Sequence, residues 1–132
     1  MEVVMITQQF FEGDSFGVAG ASARRHKYGN IIFRALLSRF KDVYPMNPIE
    51  ETIEGTRAYR EIKHMPEVPC SLCIVTPPEV TLKIVEQAIE YGVRSVWLQP
   101  GADNGLAAAR ARAAGINVID DGSCVLVELA KL

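Results

Sequence analysis

A doubly wound α/β fold, one parallel sheet with helices on both faces, is what this 132-residue chain predicts. Three observations carry that expectation. Short apolar runs lack polar alternation, so they read as strands of a parallel sheet buried on both faces. Longer stretches with helical spacing separate them and supply right-handed crossovers. The loops after the first four runs, Gly20-Ala21-Ser22, Asn47-Pro48, Thr76-Pro77-Pro78 and Gln99-Pro100-Gly101, are small and carry glycine or proline. In such sheets these loops share one edge and frame one cleft, and ligands lie there near the topological switch point.

Residues 1–11 mix Gln8 and Gln9 with Phe10 and Phe11 and lack a basic n-region, so they read as a short packed helix rather than a secretion signal. The first strand is expected over 15–19, and a helix over 28–40 places Ile32, Ala35, Leu36 and Phe40 on one face. A second strand over 42–46 ends at Asn47-Pro48. Residues 49–66 are the least regular part, with Gly55 in the middle and a weak helix over 58–63. A third strand over 71–75 leads into Thr76-Pro77-Pro78-Glu79. That run reads as a helix start, with Thr76 as the cap, Pro77 in the first helical position and Glu79 closing a capping box. The helix carries Val80, Ile84, Ala88 and Tyr91 and stops at Gly92. A fourth strand over 95–98 precedes an alanine-rich helix that runs to Ala114 and ends at Gly115. A fifth strand over 116–119 and a terminal helix over 124–132 complete a single Rossmann-like, doubly wound domain over 1–132, with 1–12 as a helical extension.

Composition excludes several function classes. An apolar share of 48% with 23% charged residues is ordinary for a soluble globular chain, and no run approaches the roughly 20 apolar residues that span a bilayer. A net charge of −2 provides no general drive toward nucleic acid or membrane. The three cysteines, Cys70, Cys73 and Cys124, are odd in number and lack a secretory context, which points to reduced thiols in the cytoplasm. Cys70-Ser71-Leu72-Cys73 has a redox spacing, but it enters the apolar run of a strand and not the start of a helix. Two buried thiols used as small apolar residues are the better reading.

Positive charge is concentrated in one place. Arg24, Arg25, His26 and Lys27 stand between the first strand's glycine turn and the first long helix, in a chain with 14 Lys+Arg against 16 Asp+Glu. A basic run is commonly a solvated face. At a strand-to-helix turn it also meets free backbone N–H groups and the positive end of a helix dipole, which suits several phosphates. A nicotinamide dinucleotide is the usual ligand of such a turn. Its Gly-x-Gly-x-x-Gly pattern is absent, and the second strand ends in Asn47-Pro48 rather than in an acid.

Five motifs then follow in register: Val18-Ala19-Gly20-Ala21-Ser22, Lys27-Tyr28-Gly29, Tyr44-Pro45-Met46-Asn47-Pro48, Thr76-Pro77-Pro78-Glu79 and Val96-Trp97-Leu98-Gln99-Pro100-Gly101. From about Phe10 onward the chain resembles the small single-domain CoA-binding proteins related to the CoA-binding domain of the succinyl-CoA synthetase alpha subunit. The resemblance implies a five-stranded parallel sheet with coenzyme A across the strand ends. It implies that Gly20, Ala21 and Ser22 contact the pyrophosphate, and that Arg25 and Lys27 neutralise phosphate, with Arg24 a further candidate. Asn47 and Pro48 would border the adenosine, Thr76, Pro77 and Pro78 would line the opposite wall, and Gln99 would reach the pantetheine arm. Many family members carry a proline shortly after the alanine-serine pair where this chain has Ala23-Arg24-Arg25, which leaves open which cation faces the ligand.

Tyr28 fits either a base stack or closure of the helix against the sheet. His26 has no nearby carboxylate to orient it as a base, His64 falls in the irregular segment, and Trp97 reads as a strand residue packed on a helix. Two scattered histidines give no metal-ligand spacing. The expectation is a cytoplasmic module that binds CoA or a short acyl-CoA without catalysis, as a sensor, regulatory or carrier unit, with a protein partner left open. The alternatives are a small NAD(P)-binding or acyl-CoA-using enzyme or enzyme subunit, and a fold retained for protein association alone.

Overall fold

The computed structural model describes residues 2–132. Helix α1 (Glu2–Glu12) precedes β1 (Ser15–Ala19), α2 (Tyr28–Arg39) and β2 (Asp42–Met46). A small hairpin of β3 (Thr52–Ile53) and β4 (Thr56–Arg57) and a 3-10 turn at Ile62–His64 fill the next stretch. The second half alternates β5 (Ser71–Ile74), α3 (Pro78–Tyr91), β6 (Ser95–Leu98), α4 (Gly105–Ala113), β7 (Asn117–Ile119) and α5 (Val125–Leu129). Met1, part of the expected N-terminal helix, lies outside the described residues.

The main sheet has five parallel strands in the order β2-β1-β5-β6-β7. The chain starts in β1, steps outward to β2, then crosses back to β5 on the other side, so the switch point lies between β1 and β5. Side-chain alternation divides the core in two. Leu72, Ile74, Val96 and Leu98 pack under α3 and α4, whereas Phe16, Val18, Cys73 and Trp97 pack with Phe10, Phe11, Ile32, Phe33 and Leu36 on the opposite face. Because both faces are covered, β1, β5 and β6 are buried along their whole length and are apolar after the serine that opens each, Ser15, Ser71 and Ser95.

Three expectations need correction. Residues 58–61 are not helical, and of the helix expected over 58–63 only the 3-10 turn at Ile62–His64 is present. Tyr59 bridges to Met46, its N–H donates to the Pro45 carbonyl, and Asn47 N–H donates back to the Tyr59 carbonyl. The backbone groups that β2 leaves open as an edge strand are thereby paired, which outweighs the weak helical pattern. The start of α3 is shifted by one residue: Pro77 is the N-cap and Pro78 the first helical residue, with no side-chain cap. Pro77 is held extended (φ −58°, ψ 148°) because the ring of Pro78 disfavours the helical region for the residue before it. Finally, Cys73 is buried but Cys70 lies just ahead of β5, half-buried, with its thiol donating to Asp14 Oδ1 at 3.2 Å.

Candidate functional site

The loops after β1, β2, β5 and β6 all leave the sheet at its carboxyl edge. The turn after β1 is the tightest of them. Gly20 has φ +91°, and a Cβ there would stand 2.2 Å from the Val75 carbonyl oxygen and 3.2 Å from Thr76 Cγ2. A Cβ on Gly29 would lie 2.1 Å from the Gly20 carbonyl oxygen. The turn, the first residues of α2 and the exit of β5 are therefore in backbone contact, which only glycine allows at these two positions.

Hydrogen bonds fix the turn from below. Gly20 N–H donates to the Met46 carbonyl at 3.3 Å, so it belongs to the sheet and is not free for a ligand. Asn30, fully buried in the first turn of α2, donates through Nδ2 to the Ser22 carbonyl at 2.7 Å. Ser22 Oγ accepts from Arg24 N–H at 3.1 Å, which uses a lone pair and leaves the O–H as a donor. Ala21 is buried, and its carbonyl accepts from Asn47 Nδ2 at 2.9 Å.

The start of α2 breaks the usual rules for stability. Its N-cap is Lys27, which makes no side-chain cap, and no acid lies in the first turn. Helix starts are normally capped by an oxygen and favour negative charge. Arg24, Arg25, His26 and Lys27 are all exposed around it. An uncapped helix start ringed by cations can receive an anion.

Two residues not foreseen from sequence complete this side. Arg34 donates through Nε to Asn30 Oδ1 at 2.7 Å and through Nη2 to the Arg25 carbonyl at 3.0 Å, bracing the basic loop. Glu54, in the turn between β3 and β4, accepts from Asn30 Nδ2 at 3.1 Å and lies 3.4 Å from Arg25 Nε. The Asn30–Arg34 pair has the i, i+4 spacing of one helix face and could have been read from it. Glu54 could not, because the irregular segment conceals where its turn lands.

Thr76, Pro77 and Pro78 follow β5 at the same edge of the sheet, Thr76 half-buried and the two prolines exposed. The Thr76 hydroxyl pairs with that of Thr81 in α3 at 2.8 Å and does not cap the helix. Asn47 is occupied by its own turn, Oδ1 accepting from Ile49 N–H at 2.7 Å and Glu50 N–H at 2.8 Å, while Pro48 beside it is exposed.

Gln99 is placed differently from the expectation. It is fully buried, and its Oε1 accepts from the Tyr28 hydroxyl at 3.0 Å and from Val125 N–H at 3.1 Å. Val125 N–H can only donate, which fixes the amide orientation. Nε2 has no well-formed hydrogen bond among the described residues, and the Cys73 sulfur beside it is a weak acceptor at best. Gln99 thus ties β6, α2 and α5 together under the edge and does not present its side chain to a pantetheine arm. For Tyr28 the hydroxyl is committed to Gln99 and to Cys124 Sγ, which favours closure of α2 against the sheet.

Burial first, and then the Cys124 contact, push the Tyr28 phenol well above the usual tyrosine value near 10. Tyr44, whose hydroxyl donates to Glu67 Oε2 at 2.6 Å, is raised too, again by burial first. An unfolded tyrosine releases its proton near pH 10 while the folded ones retain theirs, so this stability is complete below about pH 10 and falls as pH rises beyond it. Tyr28→Phe is expected to flatten that alkaline fall by one proton's slope in urea unfolding followed across the alkaline range. An unchanged slope would show that the phenol is not sequestered.

A cavity of about 550 Å³ lies at the other edge of the sheet, lined by Cys70, Ser71, Arg94, Ser95, Gly115 and Asn117 among others. These residues stand at the amino ends of β5, β6 and β7, away from the basic turn, so the cavity's size does not make it the phosphate site.

Residues 14–130 match the sequence model of a family described as CoA binding domain. Over 88 residues, 66% of this chain, the sequence is 32% identical to the alpha subunit of the ADP-forming acetate–CoA ligase II of Pyrococcus furiosus. That stretch covers 19% of the subunit, so the chain spans about a fifth of the curated relative. A hypothetical protein from Pyrococcus horikoshii OT3 superposes with a TM-score of 0.91 at 29% identity, covering 98% of this chain and 90% of that one. A conserved hypothetical protein from Pyrococcus furiosus does so with a TM-score of 0.78 at 34% identity, covering 86% and 97%. Among the described residues no helix is long and apolar enough to cross a membrane.

Proposed function

The chain belongs to the CoA-binding domain family, and on that premise we propose that it holds coenzyme A, or a short acyl-CoA, across the carboxyl edge of its sheet as a cytoplasmic binding module without chemistry of its own. One observation carries the reading: α2 begins with a lysine N-cap, no side-chain cap and no acid, amid exposed cations. Such a start supplies no acid from its own first turn, and a phosphate can meet its free N–H groups and cations.

In this reading Ala21, Ser22 and the backbone at the start of α2 meet the pyrophosphate, and Arg24, Arg25 and Lys27 share the phosphate charge. Arginine can hold two phosphate oxygens at once, whereas lysine acts as a point charge. Asn47 and Pro48 shape the adenosine side, and Thr76, Pro77 and Pro78 the opposite wall. Gly20, Tyr28 and Gln99 support the site from beneath. Bound coenzyme A would supply a thiol able to carry an acyl group as a thioester. Reversible capture, altering the edge loops for a protein partner or reporting cofactor level, is the mode of action that fits a site without a poised nucleophile and base.

A second reading follows from the ligase relative: the chain as the CoA-handling part of an acyl-CoA-forming enzyme. The isolated chain incubated with acyl-CoA, or with acetate, CoA and nucleotide, distinguishes the two. Unchanged CoA species support the binding module, and turnover favours the enzyme subunit.

The central test is a thermal-shift series with CoA, dephospho-CoA, NAD and NADP at equal concentration. A ligand at a hundredfold excess over Kd stabilises by about 2.7 kcal/mol, well within detection. CoA is expected to produce the largest rise in melting temperature. Stabilisation by NAD without stabilisation by CoA would overturn the reading.

A further inference from the structure

Glu54 is oddly placed for a glutamate. It is the first of two loop residues in the β3–β4 hairpin, and both have left-handed backbone, φ +51° for Glu54 and +74° for Gly55. Tight two-residue hairpins require this conformation, and asparagine, aspartate or glycine adopt it with least strain. Glutamate has no local advantage there, so its carboxylate calls for an explanation in what it reaches.

It reaches the basic turn. Its Oε2 accepts from buried Asn30 Nδ2 at 3.1 Å and lies 3.4 Å from Arg25 Nε. The same Asn30 Nδ2 holds the Ser22 carbonyl, and Arg34, which braces Asn30 Oδ1, also holds the Arg25 carbonyl. Hairpin and turn therefore share one polar network. The Asn30 hydrogen bond foremost, with lesser help from Arg25 and Arg34 and against an opposing effect of burial that exceeds either arginine's, holds the Glu54 carboxyl below the usual glutamate range, so it is charged at neutral pH. In effect a carboxylate already stands beside an uncapped helix start that is otherwise all cationic.

We propose that Glu54 is an internal counter-anion of the basic turn, holding Arg25 until a phosphate-bearing ligand displaces its carboxylate, and that it thereby sets the affinity of the site. This rests on the reading of the turn as a phosphate site. Arg25 is 67% exposed along its side chain and the ion pair is of the weak surface kind, so a multiply charged phosphate ligand can exchange for it. Ile53 anchors the hairpin in the core, so the exchange needs only the Glu54 side chain to turn away from Arg25, not the hairpin to move.

The test is calorimetric titration of CoA into wild type, Glu54→Gln and Glu54→Asn at fixed ionic strength near neutral pH. Glutamine keeps an oxygen for Asn30 and loses the charge; asparagine fits the left-handed backbone and loses the charge, so one of the two folds even if the other does not. Both are expected to bind CoA roughly two- to fivefold more tightly than wild type, the range of a released surface ion pair. In an Arg25→Ala background the same change should give little or no gain, because the cation it releases is gone. Equal or weaker binding by both Glu54 variants overturns the proposal and leaves the phosphate reading in place; weaker binding would make Glu54 a ligand contact. No CoA binding by any of the proteins removes the phosphate reading and the proposal together.

Discussion

Gly20→Ala is expected to destabilise this protein by about 3–5 kcal/mol, lowering the melting temperature by on the order of 10–20 °C. Two effects add. Residue 20 has φ +91°, where alanine is strained by its Cβ, and that Cβ would stand 2.2 Å from the Val75 carbonyl oxygen. The neighbouring atoms are backbone of the strand exit next to β1, which cannot move without opening the central pair of the sheet. Gly101→Ala is the matched control, with φ +94° and nothing within 4 Å of its Cβ, and should lose only about 1–2 kcal/mol from the backbone alone. Urea unfolding of both variants measures the difference. Equal losses would mean that the contact between the β1 turn and the β5 exit is not tight.

Arg25→Ala combined with Lys27→Ala is expected to weaken CoA binding by about a hundredfold or more while leaving the melting temperature nearly unchanged. Hydrogen bonds to charged groups contribute roughly 1.5–3 kcal/mol each, so losing two lowers affinity by at least two orders of magnitude. Stability should not follow, because both side chains are exposed. Among the described residues Arg25 has one ion-pair partner, Glu54, at 3.4 Å, and exposed pairs contribute about 0–1 kcal/mol. The bonds that shape the loop there run to backbone, Arg34 to the Arg25 carbonyl and Lys27 N–H to the Arg24 carbonyl, and they survive truncation of both side chains. Calorimetry and a thermal melt on the same sample read both quantities. Unaltered CoA affinity would remove these cations from the site, and an unfolded variant would make the cluster structural.

Much of the fold was legible because its signals are local. β1, β2 and β6 occupy the residues that apolar run and turn chemistry assign them, and Gly92 ends α3 in the left-handed conformation (φ +82°). The capping motif at 76–79 misled because a cap box and a Pro-Pro pair compete for the same residues, and the pre-proline constraint on Pro77 decided it. Residues 49–66 misled because their order comes from pairing with the edge of β2, which no local pattern encodes. In the candidate site, the basic turn and its two glycines were visible and the Asn30–Arg34 pair was readable from its helical spacing, whereas Glu54 emerges only where the hairpin meets α2.

What this sequence determined by itself was the alternation of strands and helices, the glycines at the first turn and the concentration of cations beside them, since periodicity, turn preference and charge are properties of neighbouring residues. What the tertiary structure alone decided was which polar groups are used up and which remain for a ligand. Gln99 is consumed by Tyr28 and Val125, and Gly20 N–H by Met46, while Glu54 is set against Arg25 across 29 residues of chain (54 − 25). The physical reason is the crossover topology: parallel strands bring the ends of distant segments to one edge, and a hydrogen bond depends on where the chain returns, not on what lies beside it in sequence.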